Sequence, residues 1–362
     1  MWQTMTVRFM RWNRRLAVSL TCASAALALT GASPPTAPFV HKKKYVMGTV
    51  FEIVAYGKSL PQASVAIDQA FQEILRLDQV MSDYKADSAL SRLNRSAHSH
   101  PEPVPPDLYR VIEEALRYSR LSGGKFDIAV GPLVNLWKAA LRGDRTPSTA
   151  EAERLRACVG YQNVELLPPD RVRFLSPCVQ IDLGAIGKGY ALDRAADVLR
   201  SSGLSRALLN AGGSTILAMG APPGRAGWLV HLRDPSNQVD PQVMLFDSSV
   251  STSEQTQPSL LSQESAGHII DPDTGVPART PFAVSTVTKT ATASDALSTT
   301  LLLMGPEKGR DLVKGVADTA AIWISADGQL KVASSGPQIL LPDGMQVWPG
   351  ASKQNPVTYA DR

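Results

Sequence analysis

Asp182-Leu183-Gly184-Ala185-Ile186-Gly187-Lys188-Gly189-Tyr190 is the stretch that decides how the rest of the chain is read. Three glycines fall within six residues, and a segment with helical patterning, Tyr190 to Ser202, follows and stops at Gly203. Glycines have no Cβ, so their backbone can approach a ligand closely. A helix that starts near Tyr190 would aim its first amides at an anion, and Lys188 adds a mobile cation suited to phosphate. The order is neither the G-x-x-x-x-G-K-[ST] of a P-loop nor the G-x-G-x-x-G of a dinucleotide fold. An ordinary glycine-rich turn before a helix is the competing reading of these residues.

On either side, strands and helices alternate without the strict rhythm of a doubly wound sheet. Thr49 to Tyr56 is β-branched and aromatic and ends at Gly57, which predicts a strand. Ile67, Phe71, Ile74, Leu75 and Asp78 carry helical spacing. A second helix opens at Pro106, lines one face with Leu108, Val111, Ile112, Ala115 and Leu116, and stops at Gly123-Gly124. Ala207 to Leu217 and Trp228 to Leu232 are apolar runs expected as buried strands. Ala283 to Val287 is a further strand, running towards a helix over Ser294 to Leu303. Asp327-Gly328 between two apolar runs marks a hairpin. The mixture predicts an α+β fold.

Several segments carry chemistry. Asp295 and Thr299 lie four apart and would share a helix face. With a backbone carbonyl they form a hard oxygen set of the kind magnesium accepts, waters and phosphates completing the shell. The competing reading makes Asp295 a cap of its own helix. His268 precedes Ile269-Ile270-Asp271-Pro272, where a strand meets a turn, and its pKa suits proton transfer. A partly buried histidine bonded to a carbonyl is the alternative. Met47, Tyr84 and Phe126 offer soft or aromatic surface for a flat ring, although each is a core residue in many folds.

Taken in order, Met47-Gly48-Thr49, Met81-Ser82-Asp83-Tyr84, Gly123-Gly124-Lys125-Phe126-Asp127, the stretch from Asp182 to Tyr190, Asn210-Ala211-Gly212-Gly213, His268-Ile269-Ile270-Asp271-Pro272-Asp273-Thr274-Gly275 and Asp295-Ala296-Leu297-Ser298-Thr299 resemble the ApbE family of flavin transferases. The resemblance covers roughly Tyr45 to Gly336. It implies an α+β fold with mixed or antiparallel sheets, flanking helices and FAD in a central cleft. It further implies Mg2+-dependent transfer of the FMN half of FAD to a threonine hydroxyl of an acceptor flavoprotein, with release of AMP. Carried over by position, Asp295, Thr299 and the Ala185 carbonyl become the metal ligands, with Ser298 beside them. Met47, Tyr84, Lys125, Phe126, Asp127, Asp182, Lys188 and Ile270 become the FAD contacts, and His268 the catalytic histidine. The acceptor implied is a membrane redox subunit or an extracytoplasmic flavoprotein. Hydrolysis of FAD to FMN and AMP, and FAD binding without catalysis, are the two alternatives. The chain departs from the family pattern at Ser214, at Ser253-Glu254-Gln255-Thr256, at Asp273 and at Lys125, where aspartate, an S-G-D-Y loop, a basic residue and alanine respectively are more usual.

The first residues read differently from the rest. Arg8, Arg11, Arg14 and Arg15 precede an apolar run from Leu16 to Thr30, and no acidic residue occurs before Glu52. That is the pattern of a signal peptide over 1–32, with an uncleaved anchor as the alternative. Residues 33–44 are expected as a linker, 45–340 as the flavin transferase domain and 341–362 as a tail. Export to the periplasm follows, with tethering to the inner membrane if the segment stays. Removing those four arginines takes the formal charge of +4 to near zero, and nothing points to a nucleic-acid partner. Cys158 and Cys178 remain after processing, either paired or as free thiols.

Overall fold

The computed structural model describes residues 38–141, 147–255 and 269–336. In chain order the elements are β1 (Phe39–Val46), β2 (Thr49–Tyr56), α1 (Leu60–Met81), α2 (Ala89–Ser96), β3 (Glu102–Pro103), α3 (Pro106–Leu121), α4 (Gly131–Leu141), α5 (Thr149–Cys158), β4 (Val164–Leu167) and β5 (Arg171–Phe174). Then come α6 (Gly187–Ser201), β6 (Arg206–Ala211), β7 (Thr215–Met219), β8 (Trp228–His231), β9 (Gln242–Leu245), β10 (Ser248–Glu254), β11 (Ile270–Asp271), β12 (Val276–Pro277), β13 (Phe282–Thr288), α7 (Ala291–Gly315), β14 (Ala320–Ser325) and β15 (Leu330–Ser334).

Eight strands form one sheet in the order β1-β2-β6-β7-β10-β13-β14-β15, and every pairing in it is antiparallel. Side chains alternate across a strand, and here both faces are covered. Phe51, Ile53, Leu209, Ala211, Leu217 and Met219 point into a core shared with α1 and α6. Val54, Leu208, Ile216 and Ala218 point the other way, against Trp228, Val230, Val243 and Leu245 of the β8–β9 ribbon. Burial on both sides explains why these strands read as continuous apolar runs. The fold is α+β, as the sequence predicts.

Four expectations change. The stretch read as a linker up to Lys44 is strand β1 from Phe39 onward, an edge strand whose lysines reach Asp68 and Glu52 at 2.7 and 3.0 Å. The run Ala207–Leu217 is two strands, because Gly212 and Gly213 take φ of +64° and +72° and reverse the chain. A Cβ on Gly212 would also collide with the Thr49 side chain. The helix expected from Tyr190 begins at Gly187. The helix expected from Ser294 begins at Ala291, where Thr290 caps it and the Asp193 carboxylate accepts the Ala291 and Thr292 amides at 2.8 Å. It continues past Gly305, whose φ of +73° breaks it before Pro306. The proposed leader, residues 33–37 and the tail lie outside the described residues.

Cys158 and Cys178 are paired, with Cα atoms 5.7 Å apart. The bond ties the end of α5 to the segment entering Gln180 and Asp182. Closing a loop of that size restricts the unfolded chain by about 3 kcal/mol. Reductant, or Cys158→Ser with Cys178→Ser, is therefore expected to lower unfolding free energy by about that amount in urea titrations. Equal midpoints with and without reductant would show that the bond adds nothing.

Candidate active site

The arrangement is organised around Asp295, which is 4 % exposed on the first turns of α7. Its Oδ2 accepts the Gly189 amide at 2.9 Å, and its Oδ1 accepts the Thr215 hydroxyl at 3.1 Å. The Ser251 hydroxyl is 3.5 Å away. Thr290 caps this helix, so Asp295 is free of that task and points inward. Gly189 must be glycine here, since a Cβ would overlap the Ala291 carbonyl and come within 2.8 Å of the Asp295 Cβ. One turn on, Ser298 and Thr299 meet Ser253 of β10 at 2.8 and 3.2 Å. A nearly buried carboxylate thus sits among hydroxyls contributed by β7, β10 and α7. Its neighbouring cation, Lys188, lies 3.9 Å off and donates instead to the Gly184 carbonyl at 3.0 Å.

The glycine-rich turn links this centre to a second set of residues. Asp182 accepts the Gly184 amide at 2.7 Å through Oδ1 and faces Lys138 at 3.4 Å through Oδ2. Lys138 also reaches Asp83 at 3.2 Å and stands 4.8 Å from the centre of the Tyr84 ring. That ring is 75 % exposed. Asp83, Tyr84, Asn94, Arg95, Asn135 and Asp182 line a cavity of about 280 Å³. A larger hollow of about 780 Å³ between α1 and α6 contains none of the predicted residues. Met47 and Gly48, with φ of +51° and +73°, form the two-residue turn between β1 and β2. That turn carries the Met47 methyl to 3.8 Å from where a Gly187 side chain would begin.

On the far side, Lys125 pairs with Asp271 at 2.9 Å and Asp273 at 2.7 Å. Asp127 accepts the Ala129 and Tyr161 amides at 2.7 and 2.9 Å, and Asp182 donates its own amide to the Ile128 carbonyl at 2.8 Å. Burial is the largest influence on Asp127 and pushes its carboxyl up to about 6, against the pull of those two amides.

The reading of Phe126 as a ring surface needs correction at the side-chain level. Phe126 is 2 % exposed and packs edge-on against Tyr118, so its ring is core and gives no face to a flat ligand. Ile270 is likewise buried, with Val130, Leu133 and Val134. His268 lies outside the described residues. Its neighbour Ile269 is held by Gln255, which accepts the Ile269 amide at 2.7 Å and donates to the Ile269 carbonyl at 2.9 Å. Residues that sequence reasoning missed are Thr215, Ser251 and Ser253 around Asp295, and Lys138. Alternation along β7 and β10 could have flagged the hydroxyls; no local signal marks Lys138.

A model of the ApbE family matches residues 47–323. The chain belongs to the ApbE family. Proteins named FAD:protein FMN transferase resemble it along most of their length. The one from Treponema pallidum is 32 % identical over 317 residues, covering 82 % of this chain and 86 % of its own. The one from Vibrio cholerae is 32 % identical over 329 residues, covering 87 % and 96 %. The solved structure titled flavin transferase ApbE from Vibrio cholerae superposes with a TM-score of 0.72 at 28 % identity, over 82 % of this chain and 98 % of that one. Within this chain, the Asp182–Gly189 stretch contacts Asp295 on one side and, through Lys138, Asp83 on the other.

Two tests follow from the packing. Gly189→Ala forces α6 off α7 and is expected to destabilise the fold by about 1–3 kcal/mol. Gly315→Ala has open space around its Cβ and serves as the neutral control. Equal melting temperatures for the two variants would refute the close-approach argument. For Asp127, the folded carboxyl holds its proton more tightly than the unfolded one, so this group's contribution to stability falls as pH rises from about 4 to about 6. The expected loss is on the order of 3 kcal/mol. Urea unfolding of wild type and Asp127→Asn at pH 4 and pH 7 checks it, and a wild-type-minus-variant unfolding free energy that does not fall by about 3 kcal/mol from pH 4 to pH 7 would overturn it.

Proposed function

We infer that this protein transfers the FMN half of FAD to an acceptor flavoprotein and releases AMP, with Mg2+ as the metal and a threonine hydroxyl as the receiving group. The observation that carries the metal assignment is Asp295, a nearly buried carboxylate with its nearest lysine turned to a carbonyl. Among the described residues no three His, Cys, Asp or Glu side chains gather as a metal-binding group. The donor set is therefore one carboxylate with hydroxyl and carbonyl oxygens, which suits a hard cation that takes its remaining ligands from water and substrate phosphates. Asp295, the Thr299 hydroxyl and the Ala185 carbonyl would hold it, and it would supply neutralising charge to the diphosphate.

Charge supports the same reading. Asp83, Asp182, Asp271, Asp273 and Asp295 face only Lys125, Lys138 and Lys188 within this network. Such a surface would repel a dinucleotide unless a cation accompanied it.

The steps assigned to the chain are binding, orientation and proton transfer. Tyr84 and Met47 give the flavin an aromatic and a soft surface, and Lys188 stands where a phosphate oxygen can replace its carbonyl partner. The acceptor's threonine oxygen bonds to the phosphorus of the FMN half as the bond to the AMP oxygen breaks, and His268 takes the hydroxyl proton. We place the reaction in the periplasm, with a membrane redox subunit as the acceptor. The arginine-led apolar N-terminus supports export, and the Cys158–Cys178 pair is a bond that persists in oxidising compartments. No helix among the described residues is long and apolar enough to cross a membrane.

The test combines the protein, FAD, Mg2+ and a threonine-bearing acceptor, and weighs the acceptor. An added FMN residue with stoichiometric AMP is expected, and chelation or Asp295→Ala should slow it by on the order of 100-fold or more. Free FMN accumulating at the same rate without acceptor would replace transfer by hydrolysis.

A further inference from the structure

Lys138 has no place among the residues that the sequence singles out, yet it joins two of them. It sits on α4, and its ammonium lies between Asp83 at 3.2 Å and Asp182 at 3.4 Å, beneath the Tyr84 ring at 4.8 Å. Its side chain is 23 % exposed. Burial is the largest single influence and pushes the ammonium towards its neutral form, but Asp182, Asp83 and the Tyr84 side chain together outweigh it and hold the group above the usual lysine range. It is a charged anchor in a half-closed site, where screening by water is reduced.

The surroundings show what the anchor holds. The Tyr84 loop is tied to its own segment by short-range bonds: Ser82 Oγ accepts the Tyr84 and Lys85 amides at 3.2 and 3.3 Å, and Lys85 pairs with Asp78 at 2.7 Å. Lys138 is the cation that bridges this loop to Asp182 and so to the glycine-rich turn. Asp182 spends its other oxygen on the Gly184 amide, so the same carboxylate sets the turn that presents Lys188.

We propose that Lys138 is a positioning and affinity-determining residue for FAD, holding the Tyr84 ring by one face so that the other stays open to the flavin, and offsetting one of the two negative charges of Asp83 and Asp182 beside the diphosphate. The proposal rests on the reading of this cleft as the FAD site and gives a role to a residue that the reading counts only as a charge. Loss of the ammonium frees Tyr84 and takes the local charge of this trio from −1 to −2, so binding weakens. The chemistry at Asp295 keeps its own donors, so turnover at saturating FAD changes little.

The experiment uses the full chain with Mg2+ and compares Lys138→Met, Lys138→Arg and wild type. FAD affinity is read by flavin fluorescence, KM and kcat by acceptor labelling, and folding by thermal melting. Lys138→Met is expected to raise both the FAD dissociation constant and KM by about tenfold. In the same variant kcat should stay within about twofold, and Lys138→Arg should recover most of the affinity. An unchanged KM in Lys138→Met, or a fall in kcat with a lowered melting temperature that Lys138→Arg does not rescue, overturns the proposal. Wild type that fails to quench flavin fluorescence removes the FAD reading itself and this inference with it; wild type that binds FAD alongside an unaffected Lys138→Met removes this inference alone.

Discussion

The close docking of α6 against α7 is the constraint on which the rest of the site depends. It exists because Gly189 has no side chain, and it brings that residue's amide onto a carboxylate 106 residues away in sequence. A buried charge is costly unless hydrogen bonds satisfy it. Asp295 meets that condition with one backbone amide and the Thr215 hydroxyl while leaving lone pairs unspent. Removing the glycine would separate the helices, and removing the carboxylate would leave an amide and a cluster of hydroxyls with nothing to converge on. Stability and ligand chemistry are therefore set by the same contact.

The lysines of the network show how such a site stays folded before substrate arrives. Each is engaged: Lys125 with Asp271 and Asp273, Lys138 with Asp83 and Asp182, Lys188 with the Gly184 carbonyl. These contacts also cross long stretches of chain. Lys125 and Asp271 are 146 residues apart, and Lys138 and Asp83 are 55 apart. On the function proposed above, side chains that would face an anionic substrate double as clamps between loops. Lys188 differs, because its hydrogen-bond partner is a neutral carbonyl and its one carboxylate neighbour, Asp295, stands at 3.9 Å, so exchanging the carbonyl for a phosphate oxygen breaks no short ion pair. It is the cation most readily released to a ligand.

Much of this was legible in the sequence because the requirements are local. Glycine at 184, 187 and 189, the D-A-L-S-T run and the turn formers around Pro272 each reflect a backbone or helix-face demand that spacing reveals. The α+β mixture was readable for the same reason, since short continuous apolar runs and helical stripes are local patterns. What escaped depended on tertiary neighbours. Phe126 reads as a ring for a ligand until Tyr118 is seen to cover it. Phe39 to Lys44 reads as a linker because an edge strand carries exposed lysines and needs a partner, β2, to become a strand. Lys138 is the one charged residue in a mostly apolar helical segment, and only the fold brings Asp83 and Asp182 to it.

The departures from the family pattern follow the same logic. Lysine at 125 and aspartate at 273 are each less usual residues at their positions, and in space they are partners at 2.7 Å. A lysine at 125 facing a basic residue in the turn would set two like charges against each other across a half-buried gap. The aspartate turns that repulsion into an ion pair, which Asp271 extends. Gln255 fits similarly, with an uncharged side chain at 5 % exposure that both donates to and accepts from Ile269, as a strand neighbour would. An ionised carboxylate at that position would have no proton for the Ile269 carbonyl. Lys125, Asp273 and Gln255 thus each find partners in the loops around the cleft, and none of the three supplies an oxygen to the set around Asp295.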